Sequence, residues 1–318
     1  MDELMLCDQC SASLINRENK LVCSECGKLF ATLENNVACF NGVPEIDGYF
    51  EKFMKTVGTL YEGYNREKFL ADLQKSEYWE MDTPNKRVGV TKKYWWEKYL
   101  GKLQNKTILD LGCGIHYLPP YWAETNNKVV AIDICRDEVF LLQKVMDMVE
   151  IPQDRFLCVV GDAEKINFDK KFDIINVCNA LHHMPDRETI VPRLKEWLKD
   201  DGKLVIEEAN YYWPPRWIVE TDIIQPNPIH DYFLRNDKVE EGERGFTYSE
   251  LRSLLGRNGF KIEYNEKDVN YFGYFLYHFI KEQTLLTRVV YEVDKHVLSR
   301  FLPSLLTPFE YVIASKVN

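Results

Sequence analysis

The chain has 318 residues, of which 45% are hydrophobic and 28% charged, and its formal net charge is −10 at pH 7. This composition excludes a disordered chain and indicates one sizeable core with a smaller appendage. The acidic balance disfavours nucleic acid and anionic lipid as partners. No apolar signal segment follows Met1, and the densest apolar run, at 271–280, is shorter than the about 20 residues of a membrane span, so we expect a soluble, cytoplasmic protein.

Four cysteines near the amino terminus have the spacing of metal ligands: Cys7, Cys10, Cys23 and Cys26. In a reducing compartment such pairs bind metal more often than they form disulfides, and four thiolates suit tetrahedral Zn²⁺. A complete set of four thiolates leaves no open position, so the predicted zinc is structural. The alternative is two pairs of reduced thiols at a chance spacing. The other five cysteines lie on apolar segments and are predicted to be buried.

We assign residues 1–46 to a zinc ribbon and residues 47–100 to a helical linker or cap, because the second segment combines aromatic and charged residues at helical spacing. Residues 1–48 carry eight acidic and three basic side chains, a net charge of −5. This is a poor surface for phosphate groups. The ribbon is therefore predicted to pack against the chain or bind a partner rather than nucleic acid.

From residue 101 to 318 the periodicity of apolar residues alternates between strands and helices. This order predicts an α/β domain with a parallel, doubly wound sheet covered on both faces. The predicted strands are 106–112, 128–134, 155–163, 172–180, 203–210, 260–268 and 309–317. One helix is predicted to begin at about residue 119. Three further helices are predicted at 136–150, 186–200 and 249–259.

Ligand-like residues follow four successive strands of this sheet. Gly112 and Gly114 let the backbone approach a ligand, and Asp133, about 20 residues later, is placed to accept hydrogen bonds from ribose hydroxyls. In such sheets ligands bind beyond the carboxyl ends of the strands. The third and fourth strands end in Gly161-Asp162-Ala163 and in Asn179-Ala180-Leu181-His182-His183.

This series resembles the class I S-adenosylmethionine-dependent methyltransferases of the small-molecule type, whose fourth strand runs into a Leu-His-His-like turn. The resemblance covers 102–210 well and the remainder loosely. It implies a Rossmann-like domain with a seven-stranded, mostly parallel sheet. It also implies the cofactor-binding residues: Asp110, Gly112 and Gly114 for the methionine part, Asp133 for the ribose, Asp162 and Ala163 for the adenine, and Asn179. The chain departs from the family pattern at His116, which stands where a third glycine is expected.

A nicotinamide cofactor is the alternative ligand for the glycine loop. Its G-x-G-x-x-G/A fingerprint requires a glycine or alanine at position 117, where this chain has Tyr117. The segment Gly161-Asp162-Ala163 also has no role in that interpretation. The sequence therefore favours S-adenosylmethionine.

His182 and His183 are the candidate catalytic residues, because a histidine beside the methyl position can remove a proton or orient the acceptor. The alternative is that they only pack the loop. Glu207 and Glu208 close the fifth strand, and we expect only one of them to face the site, since successive strand residues point to opposite faces.

Two additions to the core are predicted to determine the acceptor. A lid at about 209–245 is long and aromatic, and its candidate pocket residues, which could instead fill a gap over the sheet, are Tyr211, Tyr212, Trp213, Arg216 and Trp217. A helical insertion at about 270–307 carries an apolar stripe. Such a stripe packs on its own domain, on a second subunit in a homodimer, on a hydrophobic substrate or on a membrane surface.

These observations together predict a methyltransferase that uses S-adenosylmethionine, contains structural Zn²⁺ and acts on a small-molecule or lipid-like acceptor, at oxygen. An RNA base methyltransferase that uses the ribbon for recognition is the main rival, and a protein methyltransferase remains open. A scaffold that keeps the fold without turnover is a third hypothesis.

Overall fold

The computed structural model describes residues 5–7, 10, 12–43, 63–74, 96–115, 118–168, 171–184, 186–210, 246–267, 285–293, 297–298 and 309–317. The chain divides into two compact units. Unit 1 comprises Met1–Asn176 and Glu196–Gly202, and unit 2 comprises Val177–Lys195 and Lys203–Asn318.

Unit 1 contains the amino-terminal strands and the first alternating strands and helices. Its strands are β1 (Met5–Leu6), β2 (Leu14–Arg17), β3 (Lys20–Cys23), β4 (Leu29–Glu34), β5 (Val37–Phe40), β6 (Thr107–Leu111), β7 (Lys128–Asp133), β8 (Phe156–Val160), β9 (Asn167–Phe168) and β10 (Phe172–Cys178), which ends in unit 2. Its helices are α1 (Arg66–Leu73), α2 (Leu118–Glu124) and α3 (Arg136–Met148). Residues 96–100 are also helical.

The sheet of unit 1 has the strand order β10-β6-β7-β8-β5-β4-β3-β2. β6, β7, β8 and β5 run parallel, whereas β2 to β5 form antiparallel pairs. Every residue of β8 is buried, as expected for a strand with neighbours on both edges and apolar residues throughout. The core of unit 1 therefore lies around β6, β7 and β8.

The four amino-terminal strands β2 to β5 extend this sheet, because β5 pairs in parallel with β8. The paired residues are Val37 with Cys158, Ala38 with Val159 and Cys39 with Val160. A second, two-stranded sheet joins β1 to β9. We call residues 5–43, with β1 to β5 and the four cysteines, the cysteine module. It is built into unit 1 through two separate strand pairings.

Helix α1 is held against the rest of unit 1 by one arginine. Both terminal nitrogens of Arg66 donate to the carboxylate of Glu124, at 2.7 and 2.8 Å, and Arg66 also donates to the carbonyl of Val149 at 2.8 Å. Asn65 caps the helix by accepting a hydrogen bond from the backbone N–H of Lys68. The predicted linker thus contains a helix that docks on α2 and on the end of α3.

Unit 2 contains the strands and helices of the carboxyl-terminal part. Its elements are α4 (Arg187–Trp197), which ends in unit 1, β11 (Leu198–Ala209), which continues in unit 2 from Lys203, α5 (Tyr248–Arg257), β12 (Phe260–Lys267), α6 (Leu285–Val293) and β13 (Phe309–Lys316). β13 lies between β11 and β12 and is antiparallel to both. A capping box between Thr247 and Glu250 begins α5.

The predicted α/β fold of the methyltransferase type, with a mostly parallel central sheet, is confirmed. The seven predicted strands correspond to β6, β7, β8, β10, β11, β12 and β13. Two details differ from the prediction. The sheet of unit 1 is wider, because the amino-terminal strands join it at β8. The helix predicted at 186–200 ends at Trp197, and β11 begins at Leu198 instead of at 203.

The insertion predicted at 270–307 is described only in part. Its helix α6 exposes apolar side chains: Leu285, Leu286, Val289 and Val293 are between 42% and 79% exposed. Val297 beyond the helix is 45% exposed. Among the residues that the structure describes, no helix has the length and apolar character needed to span a membrane.

Candidate cofactor and catalytic sites

The ends of three parallel strands in unit 1 are tied together by backbone hydrogen bonds. The N–H groups of Gly112 and Cys113 both donate to the carbonyl of Ile132 at 2.9 Å, and the N–H of Gly161 donates to the carbonyl of Asp133 at 2.9 Å. Gly112 has φ 67° and Gly114 φ 45°, a left-handed conformation that favours glycine. The glycine loop therefore has a fixed shape beside the end of β7.

Asp133 lies at the carboxyl end of β7, and backbone donors hold its side chain. Gly114 N–H donates to Oδ2 at 2.9 Å, and Cys135 N–H donates to Oδ1 at 2.8 Å. The pKa of Asp133 is raised, because the effect of burial exceeds the opposite effect of the backbone donors. Because a carboxylate has about four acceptor positions, Asp133 can accept a further hydrogen bond from a ligand hydroxyl.

Glu138, on the first turn of α3, is a site residue that the sequence analysis missed. A Cβ atom at position 114 would lie 3.3 Å from Glu138 Oε2, so this carboxylate lies against the glycine loop. Burial and the charges of Asp133 and Asp137 raise the pKa of Glu138 to about 8. The only signal in the sequence was a second acid soon after Asp133, and acids are common in the first turn of any helix.

Asp110 at the start of the glycine loop is fixed by a second residue that the sequence analysis missed. Asn176 Nδ2 donates to Asp110 Oδ1 at 2.6 Å, and both residues are almost fully buried. Asn176 lies in β10, where it interrupts a run of apolar residues. A polar residue within a buried strand is expected to have a hydrogen-bond partner, but the sequence could not identify that partner as Asp110.

Asp162 lies in the segment Gly161–Ile166 between β8 and β9, which we call the Asp162 loop. Its Oδ1 accepts a hydrogen bond from Glu164 N–H at 3.0 Å, and its Oδ2 pairs with Lys165 Nζ at 2.7 Å. A Cβ atom at Gly161 would collide with the side chain of Ile166. The Asp162 loop is therefore compact and leaves Ala163 partly exposed.

In unit 2, the turn after β10 begins at Asn179, whose φ of 48° is left-handed. Its backbone N–H donates to the carbonyl of Glu207 at 2.7 Å, and its Nδ2 donates to Glu207 Oε1 at 3.2 Å. The thiol of Cys178 donates to Glu207 Oε2 at 3.3 Å. Glu207 therefore fixes the first residues of this turn.

His182 forms a short side-chain contact with a buried acid. Its Nδ1 lies 2.6 Å from Glu208 Oε2, and Glu208 Oε1 accepts the backbone N–H of Leu181 at 2.8 Å. The side chain of Glu208 is fully buried and that of His182 is 12% exposed. Arg187 donates to the carbonyl of His182 at 3.0 Å. The imidazole is thus held at Nδ1, and its backbone is held separately.

His183, the second predicted catalytic residue, has a different environment. Its ring lies against that of His182, with centroids 3.9 Å apart. Desolvation and the neighbouring His182 and Arg187 lower the pKa of His183.

We expected only one of Glu207 and Glu208 to face the site, and the structure shows that both of them contact the turn. Both carboxylates are buried, and both bond to it. The turn wraps around the strand end, so successive residues of β11 contact different parts of it. Glu207 contacts Cys178 and Asn179, and Glu208 contacts the later residues.

The four predicted metal ligands come together in unit 1. The Sγ atoms of Cys7, Cys10, Cys23 and Cys26 all lie within 4.8 Å of one another. Tetrahedral Zn²⁺ with bonds of about 2.3 Å requires sulfur separations of about 3.8 Å. Two of the separations are 3.7 Å and 3.3 Å. The arrangement therefore fits a zinc site without a large movement.

The second cysteine pair has the backbone donors expected of a metal knuckle. The N–H groups of Glu25 and Cys26 both point to Cys23 Sγ at 3.4 Å. Desolvation raises the pKa of Cys23, but these donors outweigh it and the pKa is lowered to about 6. A thiolate is the metal-binding form of cysteine. The prediction that the other five cysteines are buried is confirmed.

A cavity of about 430 Å³ lies in unit 2 between α4 and α5. Arg187 lines it, stacks on Phe246 with its guanidinium 4.5 Å from the ring centroid, and bonds to the His182 carbonyl. The predicted pocket residues of the lid, Tyr211, Tyr212, Trp213, Arg216 and Trp217, lie outside the described residues, as do His116 and Tyr117.

Residues 109–206 match a family described as "Methyltransferase domain". A ubiquinone biosynthesis O-methyltransferase of Glaesserella parasuis serovar 5 is 31% identical over 111 residues, which are 34% of this chain and 47% of that protein. One of Rickettsia typhi is 25% identical over 190 residues, 55% of this chain and 73% of that protein. The chain spans about half the length of most of the curated relatives it matches.

Among solved structures, a magnesium protoporphyrin IX methyltransferase from Synechocystis PCC 6803 with bound SAH is 15% identical. That match has a TM-score of 0.45 and covers 71% of this chain and 80% of the other. A mycolic acid cyclopropane synthase complexed with SAH is 16% identical, with a TM-score of 0.48. That match covers 79% of this chain and 94% of the other.

Proposed function

We propose that this chain, which carries an S-adenosylmethionine-dependent methyltransferase domain, transfers a methyl group to an oxygen atom of a small-molecule or lipid-like acceptor. The observation that carries the catalytic part is the contact between His182 and the buried carboxylate of Glu208. We assign the role of general base to His182 and not to His183.

The chemistry of this pair supports the assignment. We assign the ring proton to Nδ1 of His182, because an ionised carboxylate only accepts hydrogen bonds and Glu208 Oε2 lies 2.6 Å from Nδ1. The neutral ring then has its lone pair on Nε2, which can take a proton from an acceptor hydroxyl. Glu208 also stabilises the imidazolium that this proton transfer produces. Desolvation and the neighbouring His182 and Arg187 lower the pKa of His183, which makes it a weak base.

Unit 1 supplies the proposed cofactor-binding residues. S-adenosylmethionine, when bound, supplies a methyl group that its positively charged sulfur has already activated. The glycine loop brings backbone close to the ligand, and a side chain at Gly114 would fill the space beside Glu138. We assign Asp133 to hydrogen bonds with ribose hydroxyls and Asp162 to a hydrogen bond with the adenine amino group. We also assign Asp110 and Ala163 of unit 1, and Asn179 of unit 2, to cofactor binding.

The acceptor class rests on the relatives and on the acidic surface. Several relatives are named ubiquinone biosynthesis O-methyltransferases, which is a small-molecule reaction at oxygen. The net charge of −10 disfavours nucleic acid. We propose that the lid at 209–245 contributes the acceptor pocket and that the protein acts in the cytoplasm.

We further propose that the cysteine module holds one structural Zn²⁺. Its support is the convergence of four Sγ atoms and the two backbone donors to Cys23. All four positions of a tetrahedral ion would be occupied by sulfur, so the metal would take no part in methyl transfer.

The test is transfer of a radioactive methyl group from S-adenosylmethionine into host extract, followed by separation of RNA, protein, lipid and small solutes. We expect counts in the lipid or small-solute fraction that the His182→Ala variant loses and the His183→Ala variant keeps. Counts in RNA or in protein would overturn the proposed acceptor class. Equal activity of the His182→Ala variant and the wild type would overturn the assignment of the base.

A further inference from the structure

The Asp162 loop lies between two strands that both pair with the cysteine module. β8 precedes the loop and pairs with β5. β9 follows the loop and pairs with β1. Both ends of a loop of six residues are therefore held by the amino-terminal part of the chain.

The pairing before the loop reaches its first residue. Cys39 in β5 pairs with Val160, the last residue of β8, and Gly161 begins the loop directly afterwards. From β5 the sheet continues through β4 to β3, which ends at the metal-ligand candidate Cys23. An uninterrupted set of strand pairings thus joins the cysteine cluster to the start of the Asp162 loop.

The pairing after the loop is shorter but closer to the cysteines. Met5 and Leu6 pair with Phe168 and Asn167, and Leu6 is followed directly by Cys7. A two-residue pairing is weak by itself, because isolated two-stranded ribbons are only marginally stable. A metal that ties Cys7 to Cys23 and Cys26 would hold β1 in place against β9.

A third link joins the cysteine module to the helix that follows Asp133. Arg136, the first residue of α3, forms an ion pair with Glu34 and donates to Cys39 Sγ at 3.3 Å. Its guanidinium also lies 4.6 Å from the ring centroid of Phe140. The module therefore contacts the end of β8, which precedes Asp162, and the first residue of the helix that follows Asp133.

We propose that the cysteine module positions the Asp162 loop, so that metal bound by its four cysteines strengthens binding of the adenosyl cofactor. This rests on the proposed function for the identity of the cofactor. The module is thus part of the scaffold of the cofactor site and not only an appendage for partners.

The loop transmits a shift of its ends to Asp162 because it has little internal freedom. The N–H groups of Lys165 and Ile166 both donate to the carbonyl of Asp162. Gly161 and Ile166 pack so closely that no Cβ atom fits between them. Since the free energy of structural zinc binding is also free energy of folding, loss of the metal releases β1 and loosens the end of the loop.

The experiment uses the full chain with zinc bound, after chelation and after zinc is added back. S-adenosylhomocysteine binding is measured by calorimetry, and hydrogen exchange is measured for the peptide 156–168. We expect chelation to weaken binding about five- to fiftyfold and to raise exchange in 161–168, and we expect added zinc to restore both. The helix Tyr248–Arg257 in unit 2 reports global unfolding and should keep its protection.

A variant that leaves the four cysteines intact separates the link from the metal. Arg136→Gln should keep one zinc per chain and weaken S-adenosylhomocysteine binding by a smaller factor than chelation. Arg257→Gln breaks a comparable exposed Arg–Glu pair in unit 2 and should leave binding unchanged. Equal affinity with and without zinc, together with unchanged exchange in 161–168, would overturn the inference.

The two proposals fail in distinguishable ways. If S-adenosylhomocysteine binds neither the zinc-loaded nor the chelated chain, the proposed cofactor is wrong. The exchange of 161–168 still decides whether the cysteine module positions the loop. If the ligand binds both forms equally and exchange does not change, the cofactor assignment stands and the positioning role is lost.

Discussion

Asp133 in unit 1 and Glu208 in unit 2 are both carboxylates that accept backbone hydrogen bonds close to the end of a strand, yet their partners differ. The two oxygens of Asp133 accept from backbone N–H groups, among them those of Gly114 and Cys135. Glu208 divides its oxygens between the backbone of Leu181 and the imidazole of His182. A carboxylate held by backbone alone shapes a loop, whereas one shared with an imidazole also selects its tautomer.

Removal of the imidazole should produce the largest effect. We expect His182→Ala to lower kcat by about 10²- to 10⁴-fold, the usual contribution of a general base, while S-adenosylhomocysteine affinity changes little. Single-turnover methyl transfer and calorimetry measure the two quantities. His183→Ala is the matched control and should retain most of the activity. A comparable loss in both variants would contradict the distinction between the two histidines.

The change Glu208→Gln should have the next largest effect, because it alters the tautomer without removing the ring. If the amide oxygen accepts from Leu181, its NH₂ group faces Nδ1 of His182 and favours the tautomer with the proton on Nε2. We expect kcat to fall about 10- to 100-fold. Glu310→Gln is the control, since Glu310 lies opposite Glu208 in the β11/β13 pair. An equal loss in both would point to a general effect of removing buried charge.

Asp133→Asn tests the other carboxylate by cofactor affinity. Loss of the charge weakens the hydrogen bonds expected to ribose hydroxyls, and we expect S-adenosylhomocysteine to bind about tenfold more weakly. Asp137→Asn, a change of an exposed acid four residues later, is the control and should bind normally. Unchanged affinity of the Asp133→Asn variant would remove Asp133 from the cofactor site.

The smallest effect concerns Glu138 and appears as a dependence of stability on pH. Its pKa is about 8 in the folded chain against an ordinary 4.5, so between these values the folded chain keeps a proton that the unfolded chain loses. The free energy of unfolding therefore declines as pH rises from about 4.5 to 8. Glu138→Gln removes that dependence. The Tm of the variant minus the Tm of the wild type should therefore rise by a few degrees between pH 5 and pH 8.5. A difference in Tm between variant and wild type that stays constant with pH would contradict the raised pKa of Glu138.

Much of the fold could be predicted from the sequence because local signals decide it. The runs 106–112 and 128–134 contain β6 and β7 with only small differences at their ends. The helix at 186–200 was predicted too long, because charged residues of 198–203 suit both a helix end and a strand. In the structure these residues begin β11, which pairs with β10 and β13. Strand pairing depends on residues that are distant in the sequence.

The candidate sites show the same division. The glycines and Asp133 follow from their order along the chain, because the carboxyl ends of parallel strands meet at one edge of a sheet. Asn176 and Glu138 were missed, since a single polar residue in a strand and an acid in a helical turn have many ordinary explanations. The contacts of Lys165 and Glu164 with Asp162 were also visible only in the tertiary structure.

By itself the sequence determined the alternation of strands and helices, the strand ends at which ligand-like residues occur, and the two cysteine pairs. Periodicity and spacing are properties of neighbouring residues, so they can be read directly from the chain. Only the tertiary structure decided that Glu208 holds His182, that Asn176 holds Asp110 and that β5 joins β8. These contacts join residues 26, 66 and about 120 positions apart, and no local pattern specifies which distant residue completes a buried hydrogen bond or strand edge.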